Sequence, residues 1–185
     1  MQPHHSSTEE VQWQEQVART FDYFEGVCAA AAEYSLGIVK RHLVGKRILE
    51  VGPADGYMTR GLVQDFDLTL VEPSETLCHK LRRCFPRAQV ISTLVEDFIP
   101  SERIDDVLLC HVLDHVRDPE QVVRMAGTWL SPGGKIIAIA PIASRCIARL
   151  LCEWACCLPS MPSASAIKSK VNEEYSIVKN FDDCF

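Results

Sequence analysis

Ile48-Leu49-Glu50-Val51-Gly52-Pro53-Ala54-Asp55-Gly56-Tyr57-Met58-Thr59 decides the fold. A short apolar run breaks into a glycine-bracketed turn, and helical spacing resumes at Met58, Leu62 and Val63, which reads as strand, tight loop and helix start. Such a loop turns backbone N–H groups and the positive end of a helix toward a polar ligand, and its glycines permit positive φ and close backbone approach. A second apolar run, Leu68-Thr69-Leu70-Val71, ends at Glu72, twenty positions beyond Gly52. In doubly wound folds an acid at that place grips the two ribose hydroxyls of a nucleoside, because a carboxylate accepts both hydrogens.

A nicotinamide site would require G-x-G-x-x-G, and the corresponding positions here hold Gly52, Ala54 and Tyr57. A tyrosine where the close-packing glycine belongs argues against a dinucleotide. Glu50, just before the first glycine, suits a cationic ligand better than a pyrophosphate, and S-adenosylmethionine carries both an ammonium and a sulfonium.

The run from Ile48 to Gly56 resembles the first motif of class I S-adenosylmethionine-dependent methyltransferases, E-x-G-x-G-x-G. Leu70-Val71-Glu72-Pro73-Ser74 is similar to their second motif, and Leu94-Val95-Glu96-Asp97-Phe98 to their adenine-side acidic motif. The segment from Asp105 to Val116 resembles the fourth motif, and Trp129 to Lys135 the turn before the fifth strand. The likeness covers about Lys46 to Pro141 and is closest in character to small-molecule methyltransferases with an H-V-L-E-H-V-type fourth motif, as in ubiquinone-biosynthesis and sugar-modifying relatives. It implies cofactor contacts from Glu50, Gly52, Pro53, Ala54, Gly56, Tyr57, Thr59, Glu72, Pro73, Ser74, Val95, Glu96, Asp97, Cys110 and His111. Ala54 replaces the middle glycine, which is expected to be tolerated if that residue keeps φ negative.

Length and composition suit one soluble globular domain: 185 residues, 47% hydrophobic and 24% charged. A net charge of −6 without a basic stripe argues against a nucleic-acid footprint. Nine cysteines, with no C-x-x-C pair and no secretory signal before them, read as reduced thiols buried in a cytoplasmic protein. Residues 1–8 form a polar tail whose His4 and His5 are incidental, and no metal site is expected. Residues 9–45 form an N-terminal helical cap, with Trp13, Val17, Phe21, Phe24, Val27 and Cys28 at helical spacing up to about Leu36 and Gly26 dividing two helices.

Residues 46–141 form the cofactor-binding core, a Rossmann-like, doubly wound, mostly parallel α/β sheet. Its strands are expected at Arg47 to Val51, Leu68 to Val71, Gln89 to Ser92, Val107 to His111 and Ile136 to Ala140, and its helices at Tyr57 to Gln64, Ser74 to Phe85 and Pro119 to Trp129. Asp118 followed by Pro119 is a helix start, which puts His111 to Val116 at the carboxyl end of a strand, where open α/β sheets bind ligands. His111 or His115 could serve as a general base near neutral pH. The competing reading has His115 packing the loop while backbone atoms of Cys110 and His111 line the pocket, since methyl transfer needs alignment more than proton removal.

Residues 142–185 form a substrate-side segment and tail, with an amphipathic helix over Ile142 to Leu158 that is too polar and too short to span a membrane, and one strand-like run, Tyr175 to Val178. The resemblance implies two strands after the fifth, and the chain is too short for both. The C-terminal strands are therefore expected to be missing or incomplete, leaving Ile136 to Ala140 as an unpaired edge that a second copy or a partner would cover, and turnover low. The leading functional expectation is a methyltransferase of a small-molecule acceptor. The alternatives are a catalytically silent methyltransferase-like binding module and, further off, a nucleotide-dependent oxidoreductase. Acceptor identity and target atom are not encoded legibly.

Overall fold

The computed structural model describes residues 26–141 and 174–180, preceded by Glu9, Val11, Gln12, Glu15 and Gln16, which are helical. Helix α1 (Gly26–His42) leads into β1 (Arg47–Val51), α2 (Tyr57–Leu62), β2 (Asp67–Glu72), α3 (Glu75–Cys84) and β3 (Gln89–Ser92). A single 3-10 turn (Val95–Asp97) precedes β4 (Ile104–Cys110), α4 (Pro119–Trp129), β5 (Leu130–Pro141) and β6 (Glu174–Asn180). The six strands form one sheet in the order β3-β2-β1-β4-β5-β6. The first five are parallel and β6 runs antiparallel to β5. The chain reverses direction across the sheet between β3 and β4, so β1 and β4 lie side by side at the topological switch point, where their carboxyl ends open a crevice.

Strand alternation builds a core on each face. Leu49, Val51, Val107 and Leu109 point to one side, where they pack with Leu113, Val122 and Trp129, the last edge-on to Phe98 with ring centroids 5.4 Å apart. Ile48, Leu70, Leu108 and Ile137 point to the other, against Ile38 and Val39 of α1, Met58 and Leu62 of α2, and Leu81 of α3. Asp118 caps α4, its Oδ1 accepting the Gln121 N–H at 3.0 Å, as the Asp-Pro pair predicts. Two adjacent acids tie down the amino end of the sheet. Asp105 accepts from the backbone of Lys46 and Arg47, from Arg47 Nη2 and from the Ser131 hydroxyl. Asp106 accepts from the Val44 and Gly45 N–H groups.

Several expectations need correction. β5 is not an unpaired edge: β6 pairs with it from Lys135↔Asn180 to Pro141↔Glu174, so no second copy or partner is needed to cover Ile136 to Ala140. The run Tyr175 to Val178 is the middle of a real strand, and at least one of the two expected C-terminal strands is present. β5 starts at Leu130, because Ser131 to Gly134 bulges between two paired stretches, with the register shifting between Ile104 and Asp106. α1 runs on to His42 rather than ending near Leu36. Among the cysteines whose side chains are described, Cys78 is buried, Cys110 is half-buried and Cys84 is exposed, so burial is not general. The expectations for His4, His5 and Ile142 to Leu158 fall outside the described residues. Among the described residues no helix is long and apolar enough to cross a membrane.

Candidate cofactor site

The turn between β1 and α2 alternates left-handed residues: Gly52 at φ 64°, Ala54 at 49° and Gly56 at 80°. The condition of a negative φ at Ala54 is therefore not met. An alanine in this region costs about 1–2 kcal/mol, and the turn holds it there through bonds on both sides. The Gly52 N–H donates to the Val71 carbonyl at 2.9 Å, the Gly56 N–H to the Pro53 carbonyl at 2.8 Å, and the Ala54 N–H to Glu72 Oε2 at 3.3 Å. Glycine is required at Gly52, where a Cβ would stand 2.8 Å from Val112 Cγ2, and at Gly56, where it would stand 2.3 Å from Phe85 Cε2. Asp55, buried in the same turn, forms an ion pair with Lys80 of α3, which fixes the loop to the neighbouring helix.

Two buried carboxylates flank this turn. Glu50 projects from the end of β1 on the face shared with Ile48; it is 4% exposed and accepts the Thr59 hydroxyl at 2.8 Å. Burial pushes its pKa up to about 7, and nearby Glu72 adds to the rise against the Thr59 bond. Glu72 ends β2 at 3% exposure, with Oε1 accepting the Ser74 N–H at 3.0 Å and Oε2 the Ala54 N–H. Burial likewise raises its pKa to about 7, with Glu15 and Asp55 contributing by repulsion. Two acids this costly to ionise without a partner are suited to a cation or a set of hydroxyl donors.

The carboxyl end of β4 completes the crevice. His111 is held at φ 55° by its N–H to the Ile139 carbonyl at 2.7 Å, and Ser35 of α1 lies 3.1 Å from its Nε2. A non-glycine residue strained in this way is most often found where a site demands it. Burial, and to a lesser degree Glu50, pushes the Cys110 thiol far up, so it stays protonated. Ser74 caps α3 by accepting the Leu77 N–H at 3.2 Å, and Pro73 is half-buried beside it.

Most of the sequence-derived set is thus brought to one end of the sheet: Glu50 through Gly56 at the carboxyl end of β1, Glu72 to Ser74 at that of β2, and Cys110 and His111 at that of β4. Thr59 is fully buried and spends its hydroxyl on Glu50, so it orients that carboxylate. Tyr57 opens α2 and is half-buried. Val95, Glu96 and Asp97 make up the 3-10 turn after β3, with Val95 buried in the core and Asp97 exposed. His115 is exposed on the following loop, its Nε2 4.0 Å from Asp114 Oδ2. Sequence reasoning missed Ser35 and Glu15. Ser35 carries no signal beyond a polar residue on an apolar helix face, and Glu15 was passed over among the aromatic spacing of its segment.

The fold resembles that of the N-methyltransferase NodS from Bradyrhizobium japonicum in complex with S-adenosyl-L-homocysteine, with a TM-score of 0.66 and 16% identity over 76% of this chain and 77% of that one. It also resembles the [4+2]-cyclase SpnF, with a TM-score of 0.64 and 16% identity over 76% of this chain and 63% of that one. In sequence, the chain is 30% identical over 110 residues to a ubiquinone biosynthesis O-methyltransferase of Chromobacterium violaceum, covering 54% of this chain and 47% of the relative. The chain spans less than half the length of the curated relatives it matches. The methyltransferase domain, as a sequence family, matches residues 19–171, which takes in the helix before the sheet, all five parallel strands and the crevice at their carboxyl ends. The chain belongs to the methyltransferase-domain family.

Proposed function

We propose that the chain binds S-adenosylmethionine in the crevice at the carboxyl ends of β1, β2 and β4 and methylates a small-molecule acceptor. The observation that carries this reading is the pair of buried carboxylates, Glu50 and Glu72, on either side of a turn with three left-handed residues. The donor set fits the ligand: Glu50 offers negative charge where a cation gains most from it, and Glu72 offers lone pairs to a ribose hydroxyl. When bound, S-adenosylmethionine supplies an electrophilic methyl group on a sulfonium.

The chain's own residues have three tasks there. Glu72, with each oxygen already fixed by a backbone N–H, holds the ribose in one orientation. Glu50, oriented by Thr59, favours the positive charge. His111, with Nε2 engaged by Ser35, has Nδ1 left to take a proton from an acceptor hydroxyl or amine as its lone pair forms the new bond to carbon. The name of the Chromobacterium relative favours an oxygen acceptor on a small molecule, and the unpaired thiols of Cys78, Cys84 and Cys110 favour a cytoplasmic setting.

Calorimetric titration of S-adenosylmethionine and NADH against the purified chain separates this reading from the oxidoreductase alternative. In the same experiment Glu72→Ala, which removes a charge-assisted hydrogen-bonding group, is expected to weaken the methyl donor by about 1.5–3 kcal/mol. Unchanged affinity in that variant refutes the ribose assignment. Release of S-adenosylhomocysteine in the presence of phenolic or amine acceptors then distinguishes an enzyme from a silent binding module.

A further inference from the structure

The helix that precedes α1 sends a carboxylate into the crevice. Glu15 Oε1 accepts the Thr76 N–H at 3.2 Å in the first turn of α3, while Glu15 Oε2 is buried and has no hydrogen-bond partner. Burial works to raise the Glu15 pKa, but the Thr76 and Glu75 N–H groups and the Ser74 hydroxyl outweigh it and keep the group ionised. Ser74 is also the residue whose N–H holds Glu72 Oε1, so the two acids approach one serine from different elements, near enough for each to feel the other's charge. A buried, ionised oxygen without a donor is a costly arrangement that a ligand hydrogen would relieve.

We propose that Glu15 is a cofactor-binding residue whose Oε2 accepts one ribose hydroxyl. This rests on the reading of the crevice as an S-adenosylmethionine site. Each oxygen of Glu72 already serves a backbone N–H, whereas Glu15 Oε2 is wholly uncommitted. A ribose with two adjacent hydroxyls can satisfy both acids, one each. The nucleoside would then neutralise no charge but would supply the missing donor and join two elements that are otherwise linked at this point by the Glu15–Thr76 bond.

The test is calorimetry on the full chain with S-adenosylhomocysteine, adenosine, 2′-deoxyadenosine and 3′-deoxyadenosine, using the native protein, Glu15→Ala, Glu15→Gln and Glu72→Ala. Glu15→Ala is expected to bind S-adenosylhomocysteine and adenosine about tenfold more weakly, which is about 1.4 kcal/mol, and Glu15→Gln, which keeps an acceptor oxygen, less weakly. The penalty should vanish for the one deoxy analogue that lacks the hydroxyl Glu15 receives. Native affinity in Glu15→Ala, with or without a lower Tm, overturns the inference and leaves Glu15 as a cap on α3. An equal penalty for all three adenosines overturns it too. If Glu72→Ala also binds normally, or if the native chain binds none of the four, the reading of the crevice itself has failed.

Discussion

Glu50→Gln should exchange ligand affinity for stability, and the exchange should depend on pH. In the folded chain the Glu50 carboxyl titrates at about 7, against an ordinary 4.5, because burial penalises its charge. Below pH 4.5 the group is protonated whether the chain is folded or not, and it contributes no difference. Between 4.5 and about 7 the unfolded chain ionises first, so stability falls as pH rises, and above 7 the loss is complete. Its full size is on the order of 3 kcal/mol. A glutamine cannot ionise, and its amide oxygen can still accept the Thr59 hydroxyl, although its N–H groups add a buried donor costing about 1–3 kcal/mol. That cost is independent of pH. Without ligand, the Tm of the variant relative to native should therefore rise by roughly 6–12 °C on going from pH 4 to pH 8. Differential scanning calorimetry at both pH values measures this. A variant-minus-native difference that stays constant between the two would mean that Glu50 does not titrate as its burial implies, and would remove the electrostatic basis of the site. At pH 8 the same variant should bind S-adenosylmethionine more weakly by a larger factor than S-adenosylhomocysteine, which lacks the sulfonium charge.

Native affinity for S-adenosylmethionine should rise with pH up to and through about 7 and then level off, because a cation favours the ionised forms of Glu50 and Glu72; titrations from pH 5.5 to 8.5 check this, and a flat profile contradicts it. Gly52→Val should abolish binding while circular dichroism shows the fold retained, since its branches would enter the space of Val112 at the mouth of the crevice. Gly56→Ala should lower stability by about 2 kcal/mol or more, combining left-handed strain with overlap on Phe85 and Leu81, as read by denaturant unfolding. Asp105 behaves oppositely to Glu50: despite some burial, its bonds to Arg47, Lys46 and Ser131 hold its pKa at about 2, so its stabilisation is present above 3.8 and is lost as pH falls through 2. Asp105→Asn should flatten that acid limb in thermal melts.

The parts of the fold written in local pattern were legible. Short apolar runs placed β1 and β3 to the residue, and the Asp118-Pro119 pair placed the start of α4, because these features depend on neighbours in sequence. The site was legible where chemistry demands a residue type, as at Gly52, Gly56, Glu50 and Glu72. What escaped depends on distant partners. The left-handed Ala54 is held partly by a carboxylate eighteen positions away, and the Ser35–His111 contact spans seventy-six. The pairing of β6 was missed because Tyr175 to Val178 reads as an isolated run, and only the vacant side of β5 reveals its place.

The antiparallel return of β6 replaces the apolar β5 at the outer position of its flank with a more polar strand. With β5 paired on both sides, the sheet's outer strands among the described residues are β6, whose sequence carries Glu174 and Lys179, and β3, four residues long, with Gln89 exposed and Val90, Ile91 and Ser92 only half-buried. So short a strand offers few unpaired amide groups to a second chain, and Arg82 of α3 already occupies the Val90 carbonyl at 3.3 Å. Cross-strand templating along the apolar Ile136 to Ala140 is thereby replaced at that edge by a strand that carries a charged residue near each end. Detaching β6 would restore that longer apolar template, so solubility as well as folding depends on seven residues near the end of the chain.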